Sequence, residues 1–205
     1  MGDHIILLDG TGTEYEAELT AVSPRQVRTV ILQKSTPQRE SRIRMVLYQA
    51  LLRESKMDWV LQKGTELGAA SLVPVLCERS LSDTPGAAKY ERWRRIITEA
   101  AEQSGRTRLP VLSPPILFKD ACEAPMQVKL LAAPDQALSL AQSLSEKDSE
   151  EVGIFIGPEG GFSEVEIERA RSQGVHPFRM GRRILRTETA GLVALALIQA
   201  FYGEL

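Results

Sequence analysis

From Ile43 onward, short apolar runs alternate with helical patterns, and this alternation restricts the chain to an α/β architecture on a mainly parallel sheet covered on both faces. The strand candidates are Ile43–Leu47, Leu72–Leu76, Val111–Leu112, Val128–Ala132, Val152–Ile156 and Phe178–Met180. Between them, Met57, Val60, Leu61 and Gly64 follow the i, i+3, i+4, i+7 spacing of a helix, with Gly68 as its stop. Trp93, Ile96, Ile97, Ala100 and Ala101 repeat the pattern, with Gly105 as the stop. A third helix is the best specified. Ser163 and Glu166 form a capping box, Phe162 and Ile167 occupy the staple positions, and Gly174 ends the helix. Glu164, Glu166 and Glu168 near its start and Arg169 and Arg171 near its end complement the macrodipole. The apolar stretch from Gly191 to Phe201 reads as a buried helix.

Residues 1–36 have a different character. Ile5–Leu8 is a short strand, Asp9-Gly10-Thr11-Gly12 is turn chemistry, and Tyr15, Ala17 and Leu19 alternate with Glu14, Glu16 and Glu18. Val27–Leu32 supplies a third strand. Three strands are marginal alone, so the segment reads as part of a small barrel or sheet. The polar stretch Lys34–Arg42 is a plausible linker, which predicts domains at 1–36 and 37–205.

With 205 residues the chain can build one sizeable core, or a core domain with a small appendage. Its 43% hydrophobic and 25% charged residues are ordinary for a soluble globular protein. No apolar run reaches the roughly 18 residues needed to span a bilayer, and the start shows no secretory signal. Cys77 and Cys122 stand alone, without a CxxC or a nearby His; this fits a reducing cytoplasm and argues against a metal site. With a formal net charge of −2 the chain is less basic than proteins that hold nucleic acid by bulk electrostatics usually are, so any RNA contact must come from a local patch.

Two loops carry the chemistry. Gly157-Pro158-Glu159-Gly160-Gly161 follows the apolar run Val152–Ile156, and Met180-Gly181-Arg182-Arg183-Ile184-Leu185-Arg186-Thr187-Glu188-Thr189-Ala190 leads into the last helix. Glycines just past a buried strand let backbone approach a ligand at the carboxyl edge of the sheet. Neither loop is a phosphate signature: no Gly-Lys-Ser/Thr follows the first, and no GxGxxG opens a helix. A tight strand-to-helix turn explains the first loop's glycines equally well. Ile184 and Leu185 could floor an adenine pocket, or simply pack in the core.

These loops resemble those of the RsmE family of SPOUT-class RNA methyltransferases. The match extends through Lys63-Gly64-Thr65-Glu66-Leu67-Gly68, Glu102-Gln103-Ser104-Gly105-Arg106 and Asp9-Gly10 with Glu14-Tyr15. Met180 departs mildly, standing where the family usually has Leu. The resemblance implies methylation of N3 of a uridine in 16S ribosomal RNA, with S-adenosylmethionine as donor, no metal, and a homodimer as the working form. It also implies a deep trefoil knot at about 150–205, preceded by a PUA-like β domain. That domain is expected to be incomplete, because family members usually begin well before the residue numbered 1 here. Carried over, Gly157, Glu159, Gly160, Met180, Gly181, Leu185, Arg186, Thr187 and Glu188 line the cofactor site, with Leu131, Ala132 and Ala133 as a further wall.

For catalysis the expectation falls on Arg186, to stabilise charge developing on the uracil oxygens, and on Glu188, one candidate base beside a water-mediated route. RNA contacts are expected from Arg92, Arg95, Gln103, Arg106 and Arg182, although arginine clusters are more often solvated faces. The competing readings are a non-catalytic RNA-binding protein that keeps the fold, and an α/β enzyme using another adenine-containing cofactor.

Overall fold

The alternation of Tyr15, Ala17 and Leu19 with glutamates produces a strand paired along both edges. In the computed structural model, which describes residues 2–80, 84–134, 138–145 and 149–205, β1 (His4–Leu8), β2 (Glu14–Ser23) and β3 (Gln26–Ser35) form an antiparallel sheet in that order. Asp9 organises the first turn: its Oδ1 accepts from the Thr11 N–H and hydroxyl, both at 2.8 Å, and from the Thr13 N–H at 3.3 Å. The Thr11 N–H above all holds the Asp9 carboxyl below its ordinary value. Two register shifts, at Glu16/Ala17 and Leu19/Ala21, bend the β2–β3 pair.

This unit runs from Met1 to Glu40 and also takes in Ala101–Leu109. The Gly12 N–H donates to Thr107 O at 2.9 Å, and the Leu109 N–H to Gly10 O at 3.1 Å. The stretch read as a linker is engaged instead: Arg39 pairs with Glu14 at 2.7 Å and donates to Gly105 O at 3.2 Å. Of the unit's apolar side chains Ala17 is fully buried, whereas Ile6, Val27, Val30 and Ile31 are exposed, a thinner core than the alternation suggests.

The second unit, Ser41–Ala100 with Pro110–Leu205, holds a seven-stranded sheet. Its strands are β4 (Arg44–Ala50), β5 (Ser71–Leu76), β6 (Val111–Leu112), β7 (Ile116–Leu117), β8 (Val128–Ala132), β9 (Glu151–Ile156) and β10 (His176–Phe178). The order is β10-β8-β9-β4-β5-β6, with β7 also on β5, and every pair is parallel. The helices are α1 (Glu54–Glu66), α2 (Ala87–Ser104), α3 (Phe118–Glu123), α4 (Leu140–Ser145), α5 (Glu164–Ser172) and α6 (Thr187–Phe201).

Successive residues of the central strands alternate between two cores, as a doubly covered sheet demands. Met45, Leu47, Leu130, Ile154 and Ile156 meet Met57 and Leu61 of α1, Trp93 of α2 and Leu195 of α6. Val46, Tyr48, Leu131 and Phe155 meet Phe118 of α3 and Ala170 of α5 on the other face. Tyr48 and Phe155 stack at 4.3 Å between centroids.

The α5 capping box is formed in full. Ser163 Oγ accepts from the Glu166 N–H at 3.3 Å, and Glu166 Oε2 accepts from the Ser163 N–H at 2.9 Å. Ser163 Oγ also donates to Glu78 Oε2 at 2.7 Å. Ser163→Ala removes both roles of the hydroxyl and should lower stability by about 1 kcal/mol, read as a shift in the urea unfolding midpoint.

Candidate active site

Strands β10, β8, β9 and β4 are neighbours and parallel, so the segments leaving their carboxyl ends gather at one edge. Those segments are the second loop after β10, Ala132–Pro134 at the end of β8, the first loop after β9, and the start of α1 after β4. They enclose a cavity of about 540 Å³. This is the edge where open α/β sheets bind ligands.

Each loop is held by specific groups. Gly157 sits against Phe162: a Cβ there would lie 3.1 Å from two ring carbons and 3.3 Å from the Phe162 nitrogen. Arg79 Nη1 donates to Gly160 O at 2.9 Å and fixes the far end of the loop. In the second loop Gly181 has a φ of 83°, which favours glycine. Arg186 is the N-cap of α6 in extended conformation, and Thr187 opens the helix. Thr187 Oγ donates to Gly157 O and accepts from Gln49 Nε2 at 3.1 Å, so one buried hydroxyl joins the second loop to the first and to β4. Thr187→Val removes the donor but keeps the shape, leaving the Gly157 carbonyl unpaired. It should cost about 1–3 kcal/mol in chemical denaturation.

Of the residues expected in the site, the structure brings together Ala132, Ala133, Gly157, Glu159, Gly160, Met180, Gly181, Leu185, Arg186, Thr187 and Glu188. Leu131 is the exception and a correction. It is 0% exposed and faces the α3/α5 core, because the strand alternation that turns its neighbours one way turns it the other. Ile184 is neither core nor floor: it stands 83% exposed at the rim, while Leu185 packs inward.

Sequence reasoning missed Lys56, in the first turn of α1. Its Nζ donates to Glu159 Oε1 at 3.0 Å and lies 3.4 Å from Glu188 Oε2. Nothing in the local sequence marks it, since its first partner is 103 positions away. The hydrogen bond to Glu159 does most to raise the Lys56 ammonium above its ordinary value, against a smaller opposing effect of burial. Burial would raise the Glu159 carboxyl, but its own backbone N–H, Lys56 and Arg53 together hold it below the usual range. Glu188 Oε2 is buried, and its near neighbour is the Lys56 ammonium.

The cations expected to meet RNA divide into two groups. Arg95 and Arg182 are exposed, as are Arg183 and Arg186, and no ion pair among the described residues engages them. Gln103 is exposed as well. Arg92 is exposed but pairs with Asp58. Arg106 is a correction: its side chain is only 8% exposed, and Glu40 Oε2 accepts from its Nε at 3.1 Å and its Nη2 at 2.6 Å. Glu40 Oε1 accepts from the Thr107 and Arg108 N–H groups as well, so Arg106 serves the first unit's interior.

Among the described residues no cluster of three or more His, Cys, Asp or Glu side chains could hold a metal ion, and no helix is long and apolar enough to cross a membrane. Residues 39–199 match the family model of the RNA methyltransferase domain. The ribosomal RNA small subunit methyltransferase E of Bacillus subtilis is 36% identical over 209 residues, spanning 96% of this chain and 81% of that protein. The enzyme of the same name from Buchnera aphidicola (from Schizaphis graminum) is 29% identical, covering 99% of this chain and 84% of its own. The crystal structure of a ribosomal RNA small subunit methyltransferase E from Neisseria gonorrhoeae bound to S-adenosyl methionine superposes with a TM-score of 0.90 at 34% identity, over 97% of this chain and 83% of that one. With a domain match over most of its length and relatives of one name across nearly all of it, the chain belongs to the RNA methyltransferase family, among the ribosomal RNA small subunit methyltransferases E.

Proposed function

We propose that this protein transfers a methyl group from S-adenosylmethionine to N3 of a uridine in the 16S ribosomal RNA of the small subunit. The observation that carries the reading is the cavity between the two glycine loops, with apolar walls and the buried Glu188 carboxylate oxygen inside. Its volume of about 540 Å³ suits a nucleoside-sized ligand. Ala132, Ala133, Ile156, Met180, Leu185 and Ala190 offer an apolar surface for a purine ring. Glu188 Oε2, with the Lys56 ammonium 3.4 Å away as its neighbour, offers an acceptor facing the cavity. These features fit S-adenosylmethionine, and the residues that would hold it are Gly157, Glu159, Gly160, Met180, Gly181, Leu185, Thr187 and Glu188, with Ala132, Ala133 and the backbone of Arg186. When bound, it supplies an electrophilic methyl on a sulfonium.

The rest of the chemistry belongs to the protein's own groups. N3 of uracil carries a proton that must leave before the nitrogen can attack. Glu188 Oε2 is the acceptor we assign to that proton, being buried at the cavity and held in place beside the Lys56 ammonium. Arg186, exposed at the mouth and free of ion pairs among the described residues, stabilises the negative charge that spreads onto the uracil oxygens. The rim cations Arg182 and Arg183 would meet backbone phosphates, with Arg95 and Gln103 as further contacts. The same reading carries the family's C-terminal knot, a homodimer, cytoplasmic action on the ribosome, and an RNA-binding role for the β1–β3 unit as an incomplete PUA-like domain. Family membership supports these assignments.

Calorimetric titration of the protein with S-adenosylmethionine tests the site directly. Saturable binding of one molecule per chain is expected. No heat at millimolar ligand would leave the non-catalytic RNA-binding reading in its place.

A further inference from the structure

Among the described residues Lys56 is the one ammonium lining the cavity, and it reaches two carboxylates that arrive from different strands. Glu159 belongs to the loop after β9 and Glu188 to the first turn of α6. The three side chains are all partly buried, at 30%, 32% and 17% exposure. Pairs as exposed as these add little to stability. Their consequence is geometric, because each loop otherwise follows its own strand. A second link between the loops is the Thr187 hydroxyl on the Gly157 carbonyl, which joins them at their bases. Lys56 joins them at the level of the acidic side chains.

The geometry points to Lys56 as a positioning residue: from α1 it ties Glu159 to Glu188, sets the separation of the two walls, and fixes the Glu188 carboxylate in the pocket. The inference rests on the reading of the cavity as a methyl-donor site for its ligand, but not for its structural content. Glu188 Oε2 lies 3.4 Å from Nζ, a looser contact than the 3.0 Å hydrogen bond to Glu159, so the ammonium holds this second carboxylate mainly by charge. The raised ammonium of Lys56 agrees with a group that stays charged across the working range. An arginine has the reach and charge to replace it, whereas a methionine of similar length has the packing without the charge.

The test uses the full chain with Lys56→Met and Lys56→Arg. Hydrogen exchange of the amides in 157–161 and 186–190 needs no ligand. Lys56→Met should speed exchange in both segments by about tenfold, and Lys56→Arg should bring the rates back to within about threefold. Calorimetry with S-adenosylmethionine and with S-adenosylhomocysteine should show Lys56→Met weakening both by about tenfold, with Lys56→Arg restoring them. Wild-type exchange in both segments of Lys56→Met overturns the tie, as does failure of Lys56→Arg to restore the rates. If wild-type protein binds neither cofactor, the methyl-donor reading falls while the exchange data still decide the role of Lys56.

Discussion

Replacing Arg186 with alanine is expected to lower the rate of methyl transfer by about a hundred- to a thousand-fold, the usual loss on removing one preorganised donor, while cofactor affinity changes by less than about threefold. The separation of the two effects follows from how the residue is built in. Its backbone is fixed, since Arg186 O accepts from the N–H groups of Thr189 and Ala190 at 2.9 and 2.8 Å, and alanine keeps both bonds. Its guanidinium is exposed at the mouth of the cavity and ion-paired to nothing among the described residues, so it is available to substrate. Loss of that side chain therefore removes charge stabilisation and leaves the walls standing. Single-turnover methylation and calorimetry on the same variant check both halves. Unchanged turnover would sink the assignment, and an equal loss in affinity would give the Arg186 side chain a role in holding the cofactor instead.

The second large effect is expected at Gly157. The Cβ of Gly157→Ala would press on the Phe162 ring at 3.1 Å and on the Phe162 backbone nitrogen at 3.3 Å. Phe162 is buried and packs on Phe118 with centroids 5.0 Å apart, so it has little room to yield. Such overpacking costs about 1–3 kcal/mol. Relief through the loop moves the carbonyl that Thr187 holds, which displaces the first wall relative to the second. A shift of this kind should weaken S-adenosylmethionine binding by about ten- to a hundred-fold. Wild-type affinity in Gly157→Ala, with the protein folded, would show that the close approach of loop and ring has no bearing on the site.

How much of this was legible in the sequence depends on the range of the interactions. β8 spans Val128–Ala132 as its apolar run predicts, and the α5 box follows from Ser163 and Glu166, because both signals are local. β10 is His176–Phe178 rather than Phe178–Met180. Pro177 argues against a strand on sequence, yet β10 is an edge strand and tolerates it. β7, with two residues, and α3 and α4, with six each, are too short for a periodic pattern to form. α6 begins at Thr187, ahead of the apolar stretch, since its polar first turn faces the cavity. The glycine loops announced the site, but the partners of charged residues did not announce themselves. Arg106 looks like a surface cation until Glu40, 66 positions away, is seen to hold it. Lys56 is hidden in the same way.

The central claim is methyl transfer to one uridine of the small-subunit RNA. Its most direct test is to offer purified small subunits from a strain lacking the modification to the protein, with labelled S-adenosylmethionine, and then map the product by reverse transcription. A methyl on N3 interrupts base pairing, so the account predicts label in 16S RNA and one new stop at a uridine. Subunits that bind the protein yet take up no label, or label that maps to another base, would contradict it.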